Sequence, residues 1–158
     1  MKYIFKQKCF AWGEDFVIRD ERGHDVYFID GRNIEEEAHL HFYDSTNFEL
    51  LRIEEQLVSF KTSYVICRDR QKFACIRKSF PKPEPKIQFF VLDDMHAKGD
   101  LAAHEYSIFR NDECIATVSE KWFKDADSYA VEISDSEDNP VLLAIVAIID
   151  LCLQDGKS

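Results

Sequence analysis

The C-terminal run Val141–Leu153 constrains the fold of this chain more than any other feature. It reads Val-Leu-Leu-Ala-Ile-Val-Ala-Ile-Ile-Asp-Leu-Cys-Leu and contains a single charged residue, Asp150. A surface helix has a polar side, whereas a helix that is apolar all round must be buried all round, in a protein core or in a bilayer. The segments before it have the pattern of β-strands. One apolar helix after many strands predicts a sheet that surrounds the helix.

The length of this run favours a protein core over a bilayer. At about 1.5 Å per residue the helix is about 20 Å long, whereas the hydrocarbon core of a bilayer is about 30 Å thick. Asp150 would also be costly in lipid. Asp138 or Asn139 can cap the start of the helix, Pro140 suits its first position, and a glycine follows its end. We expect a buried helix; a membrane anchor is the alternative.

Composition and charge indicate one folded domain, which we expect to span residues 1–158. Hydrophobic residues make up 46% of the chain, which excludes a disordered protein, and 13 residues are Phe, which packs well on pleated sheets. The net charge of −10 at pH 7 repels phosphate backbones and anionic lipid headgroups. We therefore expect no nucleic-acid partner.

The N-terminus and the cysteines indicate a cytoplasmic protein. Met1–Lys8 alternates charged and apolar residues and has no continuous apolar stretch of the kind found in signal peptides. The five cysteines are odd in number and form no CxxC pair; they are Cys9, Cys67, Cys75, Cys114 and Cys152. This pattern favours reduced, buried, structural thiols.

An internal repeat accompanies the strand pattern. Residues 64–69 and 106–111 both read Tyr-x-Ile-x-Arg followed by Asp or Asn, and each leads through a turn to a second apolar strand. Residues 16–20 are a looser copy, and residues 129–135 start a fourth. Each copy predicts a β-hairpin, and repeated hairpins build meanders that close into barrels to remove their open edges.

The proline-rich segment Pro81–Pro85 interrupts this rhythm. Proline donates no backbone hydrogen bond, so the segment cannot pair in a central strand. A two-domain organisation would divide the chain here. We expect an exposed loop within one domain instead, because only the second half contains the helix and the first half alone would leave one face of its hairpins uncovered.

Three segments carry a family resemblance. They are Tyr-Ile-Phe-Lys-Gln-Lys at residues 3–8, Trp-Gly-Glu-Asp-Phe-Val-Ile at 12–18, and Val-Ser-Glu-Lys-Trp-Phe at 118–123, which precedes an acidic strand and the apolar helix. With them the chain resembles the LURP-one-related family, in its bacterial YxjI type, which is similar to the tubby C-terminal domain and to phospholipid scramblases. The resemblance implies a closed antiparallel barrel of about twelve strands around a hydrophobic C-terminal helix, and a barrel of that size admits one helix.

The same resemblance implies a candidate calcium site. Scramblase-like proteins have an acidic segment before the helix that is proposed to bind calcium. The corresponding segment here contains Asp125, Asp127, Glu132, Asp135, Glu137 and Asp138, of which the first four are the candidate ligands. Calcium takes about six to eight oxygen ligands. The EF-hand spacing is not met, because Tyr129 stands where the third acidic ligand would be. A solvated acidic turn and strand face is the alternative.

A second candidate metal site lies around two histidines. His39 and His41 lie on one face of a predicted strand, and Glu35 and Glu37 would share that face if the strand extends backwards. Imidazole and carboxylate groups suit zinc. The alternative is a solvent-facing polar row opposite inward apolar residues.

The remaining candidates have simpler interpretations. His96 and His104 are isolated and are expected on the surface or in loops. Trp12 and Trp122 are expected to pack at the edge of the core; if exposed, they would anchor a partner. The sequence contains no GxSxG, no HExxH and no glycine-rich phosphate loop.

These observations favour a non-enzymatic binding or scaffold domain. A barrel filled by its own helix has no interior cavity, so a ligand must bind outside, and a protein partner on the outer surface is expected. The alternative is a peripheral membrane or lipid-handling protein that responds to calcium. No cofactor other than calcium is expected.

Overall fold

A computed structural model describes residues 1–6, 15–31, 39–58, 61–69, 71–79, 86–89, 94–121, 123 and 128–155 of the chain. These residues form twelve strands followed by one helix, α1, at Asn139–Asp155. The strands are β1 Lys2–Phe5, β2 Asp15–Asp20, β3 Asp25–Asp30, β4 His39–Asp44, β5 Glu49–Val58, β6 Lys61–Arg68, β7 Gln71–Ser79, β8 Lys86–Phe89, β9 Met95–Asp100, β10 Glu105–Arg110, β11 Glu113–Ser119 and β12 Tyr129–Ile133.

All twelve strands belong to one antiparallel sheet with the order β8-β7-β6-β5-β4-β3-β2-β1-β12-β11-β10-β9. β1 lies between β2 and β12, so it joins the two halves of the chain. Within the described residues no backbone ladder connects β8 with β9, and these strands are the two ends of the sheet. The structure confirms a mostly antiparallel β fold with one C-terminal helix, and its backbone pairing leaves the sheet open.

The helix is buried on every side, as predicted. Each residue from Val141 to Leu151 is at most 5% exposed, and three full turns of helix therefore face protein all round. Side chains from β1 to β7 and from β9 to β12 share one core with it. A single sheet that covers a helix on all sides must curl around that helix.

Asp138 caps the start of the helix. Its Oδ1 accepts a hydrogen bond from the Val141 N–H at 3.4 Å, and its backbone carbonyl accepts one from the Leu142 N–H at 3.1 Å. Asn139, the other candidate cap, donates its side-chain amide to the Tyr3 hydroxyl at 2.8 Å instead. This contact joins the start of the helix to β1.

The repeat corresponds to hairpins with one geometry. Four hairpins have a β-bulge at the matching place: Ile18/Arg19, Phe42/Tyr43, Ile66/Cys67 and Ile108/Phe109. In the tight turns Asp69 and Asn111 have φ of 52° and 54°, the left-handed region that Asp and Asn tolerate better than most residues. The β4–β5 hairpin is a copy that the sequence pattern missed. The fourth predicted copy was wrong, because β12 leads into α1 and has no returning strand.

In each of the two wider hairpin turns, the carboxylate of one aspartate accepts hydrogen bonds from backbone N–H groups of the turn. Asp20 Oδ1 accepts hydrogen bonds from the N–H groups of Arg22 and His24, both at 2.9 Å. Asp44 Oδ1 accepts them from the N–H groups of Thr46 and Phe48 at 2.8 and 3.1 Å, and from the Thr46 hydroxyl at 2.6 Å. These hydrogen bonds favour the charged carboxylates, so the pKa of each aspartate is lower than usual.

The Thr46→Ala variant tests the turn of Asp44. The Thr46 hydroxyl is the largest cause of the lowered pKa of Asp44, so we expect that pKa to rise in the variant, measured by carboxyl ¹³C NMR titration. Because the folded-state pKa is depressed, the contribution of this turn to stability is present above the unfolded pKa of about 3.9 and is lost as the pH falls through the folded pKa. The pKa of Asp20 is the internal control, and an unchanged Asp44 pKa would contradict the assignment.

The Ile145→Asp variant tests the burial of α1. It places an unpaired charge in a fully buried position, which costs several kcal/mol against a total stability of about 5–15 kcal/mol. We expect no soluble protein on expression. Phe48→Asp is the matched control, because Phe48 is 64% exposed and should tolerate the same charge. A soluble Ile145→Asp protein that unfolds at the wild-type urea concentration would refute a buried helix.

Candidate functional site

Asp150, the one charged residue of the apolar run Val141–Leu153, is buried with a partner for each oxygen. Its Oδ1 lies 2.8 Å from His104 Nε2, and its Oδ2 accepts a hydrogen bond from the Tyr129 hydroxyl at 2.8 Å. A carboxylate in such an apolar run must either find hydrogen-bond partners in the core or lie at the mouth of the sheet. At 2% exposure with both oxygens bound, it finds its partners in the core.

His104 was expected on the surface or in a loop; it lies in a turn, but it is buried and not isolated. His104 is 2% exposed and ends the 101–104 turn between β9 and β10 with a φ of 54°. Its ring stacks on Tyr129 with 4.4 Å between ring centroids, and its Nδ1 lies 3.3 Å from Glu120 Oε1. The imidazole therefore lies between the carboxylates of Asp150 and Glu120. One feature of the sequence pointed to a buried partner such as His104: the carboxylate of Asp150, if buried, needs a hydrogen-bond donor.

Two further residues, Tyr106 and Glu105, belong to the same group of side chains. This group is here called the polar cluster; its members are Asp150, His104, Tyr129, Glu120, Tyr106 and Glu105. The Tyr106 hydroxyl is buried, and burial first, then the charge of Asp150, raises the pKa of Tyr106 well above its ordinary value. Glu105 accepts hydrogen bonds from the Ser119 hydroxyl at 2.8 Å and from the Glu120 N–H at 2.9 Å. The cluster thus joins the C-terminal end of α1 to β10, β11 and β12.

An Asp–His pair is also a component of acid–base catalysis. Whether this pair could act in that way depends on whether a substrate can reach the imidazole. A catalytic imidazole needs space for a substrate next to its free nitrogen. His104 Nδ1 instead faces Glu120, and neither His104 nor Asp150 is among the described residues that line the four surface grooves discussed below. The two contacts of Asp150, with His104 and Tyr129, tie α1 to the surrounding strands.

The candidate calcium ligands lie partly outside the described residues. Asp125 and Asp127 belong to the segment that the structure does not describe. Glu132 lies exposed on β12, and the Oδ1 of Asp135 lies 3.3 Å from the amino group of Met1. Among the residues that are described, no group of three or more His, Cys, Asp or Glu side chains is arranged to hold a metal ion. The calcium site therefore stays a prediction.

The other two acidic residues before the helix pair with the arginines of the repeat. Arg110 donates to Glu137 and to Asp94, both at 2.9 Å, and these carboxylates raise the pKa of its guanidinium. Arg68, at the equivalent position of the other copy, donates to Asp138 at 2.7 Å. The conformation of the segment before α1 is thus fixed by two equivalent hairpins.

The candidate zinc set is partly described. Leu40 is fully buried and His41 faces outward, which confirms the predicted alternation in β4. His41 Nδ1 pairs with a carboxylate that the pattern missed, Glu49 at the start of β5. Glu35 and Glu37 lie outside the described residues, so a zinc site that includes them stays a prediction.

The two cysteines whose side chains the structure describes differ in burial. Cys67 is buried and free, as predicted, and burial is the main cause that raises the pKa of its thiol. The prediction of a buried thiol was wrong for Cys114, which is free but exposed because it lies beside the β10–β11 turn. Cys9, Trp12, Trp122 and the loop at residues 81–85 lie outside the described residues.

Four grooves among the described strands are relevant to binding. The largest of them, here called the β2–β4 groove, has a volume of about 380 Å³; its lining includes Asp15, Val17, Phe28, Asp30, Tyr43 and Asn47. A groove of about 340 Å³ on the other half of the chain, the β11–β12 groove, is lined by residues that include Thr117 and Glu132. The described helix is too short to span a membrane.

The Tyr129→Phe variant tests the polar cluster. It removes one of the two donors to a buried carboxylate, and a hydrogen bond to a charged group contributes about 1.5–3 kcal/mol. We expect the free energy of unfolding, measured in urea, to fall by that amount. Tyr43→Phe, which removes a hydroxyl from the outer face, is the control and should change stability by less than about 0.5 kcal/mol. Equal stabilities of the two variants would contradict the assigned role.

Comparison with known proteins places the chain in a family. The family model described as LURP-one-related matches residues 1–150. The uncharacterized protein YxjI of Bacillus subtilis (strain 168) is 27% identical over 159 residues, which are 99% of this chain and 96% of that protein. The X-ray structure of a protein from Arabidopsis thaliana shares the fold with a TM-score of 0.68 at 12% identity, over 94% of this chain and 88% of that one. A match over nearly the whole length means that this chain belongs to the LURP-one-related family.

Proposed function

We propose that this protein is a non-enzymatic binding domain that acts in the cytoplasm through a protein partner on the outer face of its sheet. The observation that carries this proposal is the filled interior. The side chains of α1 and of the strands around it form one buried cluster. A ligand that would enter the core must displace the helix, so the surface open to a partner is the outer face.

The outer face supports this proposal in two ways. It carries the grooves described above, each lined by side chains of neighbouring strands. It also exposes Phe48, a large apolar side chain, at the β4–β5 turn. An apolar side chain in water next to a groove is a favourable anchor for a protein partner.

The polar cluster supports a non-enzymatic role. Asp150 and His104 have the chemistry of a catalytic pair, but each is buried and is engaged with a second protein group. Their contacts account for the stability of the end of the helix without a reaction.

We further propose that the curled sheet closes into a barrel through β8 and β9. These strands are consecutive in sequence and are the two ends of the sheet order. Closure would remove two open edges, which are otherwise sites of unwanted pairing.

Site-specific photo-crosslinking in the cells that express the protein tests the partner. A benzoylphenylalanine at position 48 should give a discrete crosslink to one protein, and an excess of purified wild-type domain in the lysed cells before irradiation should abolish it. The same probe at position 145, if the variant is soluble, should crosslink only within the chain because Ile145 is buried. No competable protein crosslink from position 48 or from position 117 in the β11–β12 groove would overturn the proposal.

Vesicle co-sedimentation tests the alternative lipid-handling role and the predicted calcium site. We expect the full chain to stay in the supernatant with vesicles of phosphatidylcholine and phosphatidylserine, because a net charge of −10 is repelled by an anionic surface. The experiment is run with calcium and with a chelator. Pelleting that depends on calcium would favour the lipid-handling function over the proposed protein partner, and would place the metal at the segment 125–138 if Asp135→Asn abolished it.

A further inference from the structure

The β2–β4 groove combines an apolar row with an acidic row. The strand register sets Val17 opposite Phe28 and Phe28 opposite Tyr43, so three outward side chains form one line across β2, β3 and β4. Two residues further along the strands, Asp15 is opposite Asp30. On the outer face the two rows are neighbours, because alternate residues of a strand point to the same side.

Negative charge is concentrated at one end of the groove. The acidic row lies at one end, where His41 is opposite Asp30 and pairs with Glu49. Arg19 lies about 13 Å away from Asp15 along β2 and donates to Asp25 at 2.8 Å, and Lys6 lines an adjoining groove beside Val17. Burial first, then the charges of Glu49 and Asp30, raise the pKa of Tyr43. The whole chain has a net charge of −10, so the groove and the long-range field favour a cation.

Asp15 and Asp30 also contact groups of the protein itself. A carboxylate has two oxygens that together accept about four hydrogen bonds, so one contact within the chain uses only part of this capacity. Asp15 is exposed and Asp30 is half-buried, so solvent and ligand can reach the acidic row.

We propose that the β2–β4 groove binds an arginine side chain, flanked by an apolar residue, from an extended segment of a partner protein. The guanidinium lies at the acidic row of Asp15 and Asp30, and the apolar residue packs on Val17 and Phe28. This inference rests on the proposed function, since it names the chemistry of the partner at one of the outer grooves.

The mixture of side chains favours arginine over lysine. A guanidinium is planar, stacks on aromatic rings such as those of Phe28 and Tyr43, and donates in pairs to carboxylates. The ammonium of lysine is a strongly hydrated point charge, so its contact with aromatic rings is less favourable than that of a guanidinium. The volume of about 380 Å³ is within the usual range for sites that enclose a small ligand, so it admits one long side chain and part of a second.

A peptide titration tests the proposal. The probe is Ac-Ala-Leu-Arg-Phe-Ala-NH₂, added to the ¹⁵N-labelled full chain and followed by NMR, and the matched control peptide has citrulline in place of arginine. Citrulline keeps the shape and removes the charge. We expect shifts of the amides of Val17, Phe28 and Tyr43, and a dissociation constant at least about tenfold higher for the citrulline peptide.

Two protein variants locate the site. Asp30→Asn should weaken the binding of the arginine peptide severalfold. Glu113→Gln, which removes the same charge from an exposed position on β11, should leave it unchanged. The comparison of the two peptides on the wild-type chain remains decisive if Asp30→Asn fails to fold.

Equal affinity for both peptides, shifts centred on the β11–β12 groove, or equal effects of the two variants would overturn the arginine site. The proposed function fails separately, by the absence of a competable protein crosslink. A protein crosslink from position 117 together with a silent β2–β4 groove would preserve the proposed function and refute this inference.

Discussion

The burial of one apolar helix is the constraint on which the rest of this structure depends. Between Val141 and Leu151 every side chain of α1 except Asp150 is apolar, so the chain must cover the helix all round. Twelve antiparallel strands in one sheet provide that cover, and β1 joins the two halves by pairing with β12. The inner face of the described sheet is thereby committed to packing, whereas its outer face is accessible to other molecules.

Charged residues fix the two ends of this helix in different ways. At the start, Asp138 caps the first turn and receives Arg68, while Arg110 holds the neighbouring Glu137. At the other end, Asp150 is buried and bound by two side chains. A buried carboxylate without partners would be strongly destabilising, so the contacts of Asp150 favour one position of the helix along its axis over a shift by one turn.

Local sequence patterns predicted the elements of this fold, and long-range contacts decided what they could not. The apolar run, the Asp138 cap and the alternation around Leu40 depend on neighbouring residues, so they were predictable. The burial of His104 depends on a contact with Asp150, 46 residues away in sequence, and nothing in the 101–104 turn indicates it. β-Bulges also determine which side chains on neighbouring strands meet. The bulge between Phe42 and Tyr43 shifts the register of β4 against β5 at the place where Glu49 pairs with His41.

The same distinction explains why function is harder to predict here than fold. The core requires only that every second strand residue be apolar and that the last helix be apolar throughout, and many sequences satisfy this. The β2–β4 groove instead depends on Val17, Phe28 and Tyr43 lying in register, although each belongs to a different strand. Because these residues are far apart in the sequence, no contiguous motif identifies the row. Relatives that keep the core pattern are free to change the outer rows, so we expect the partner to differ between members that share this fold.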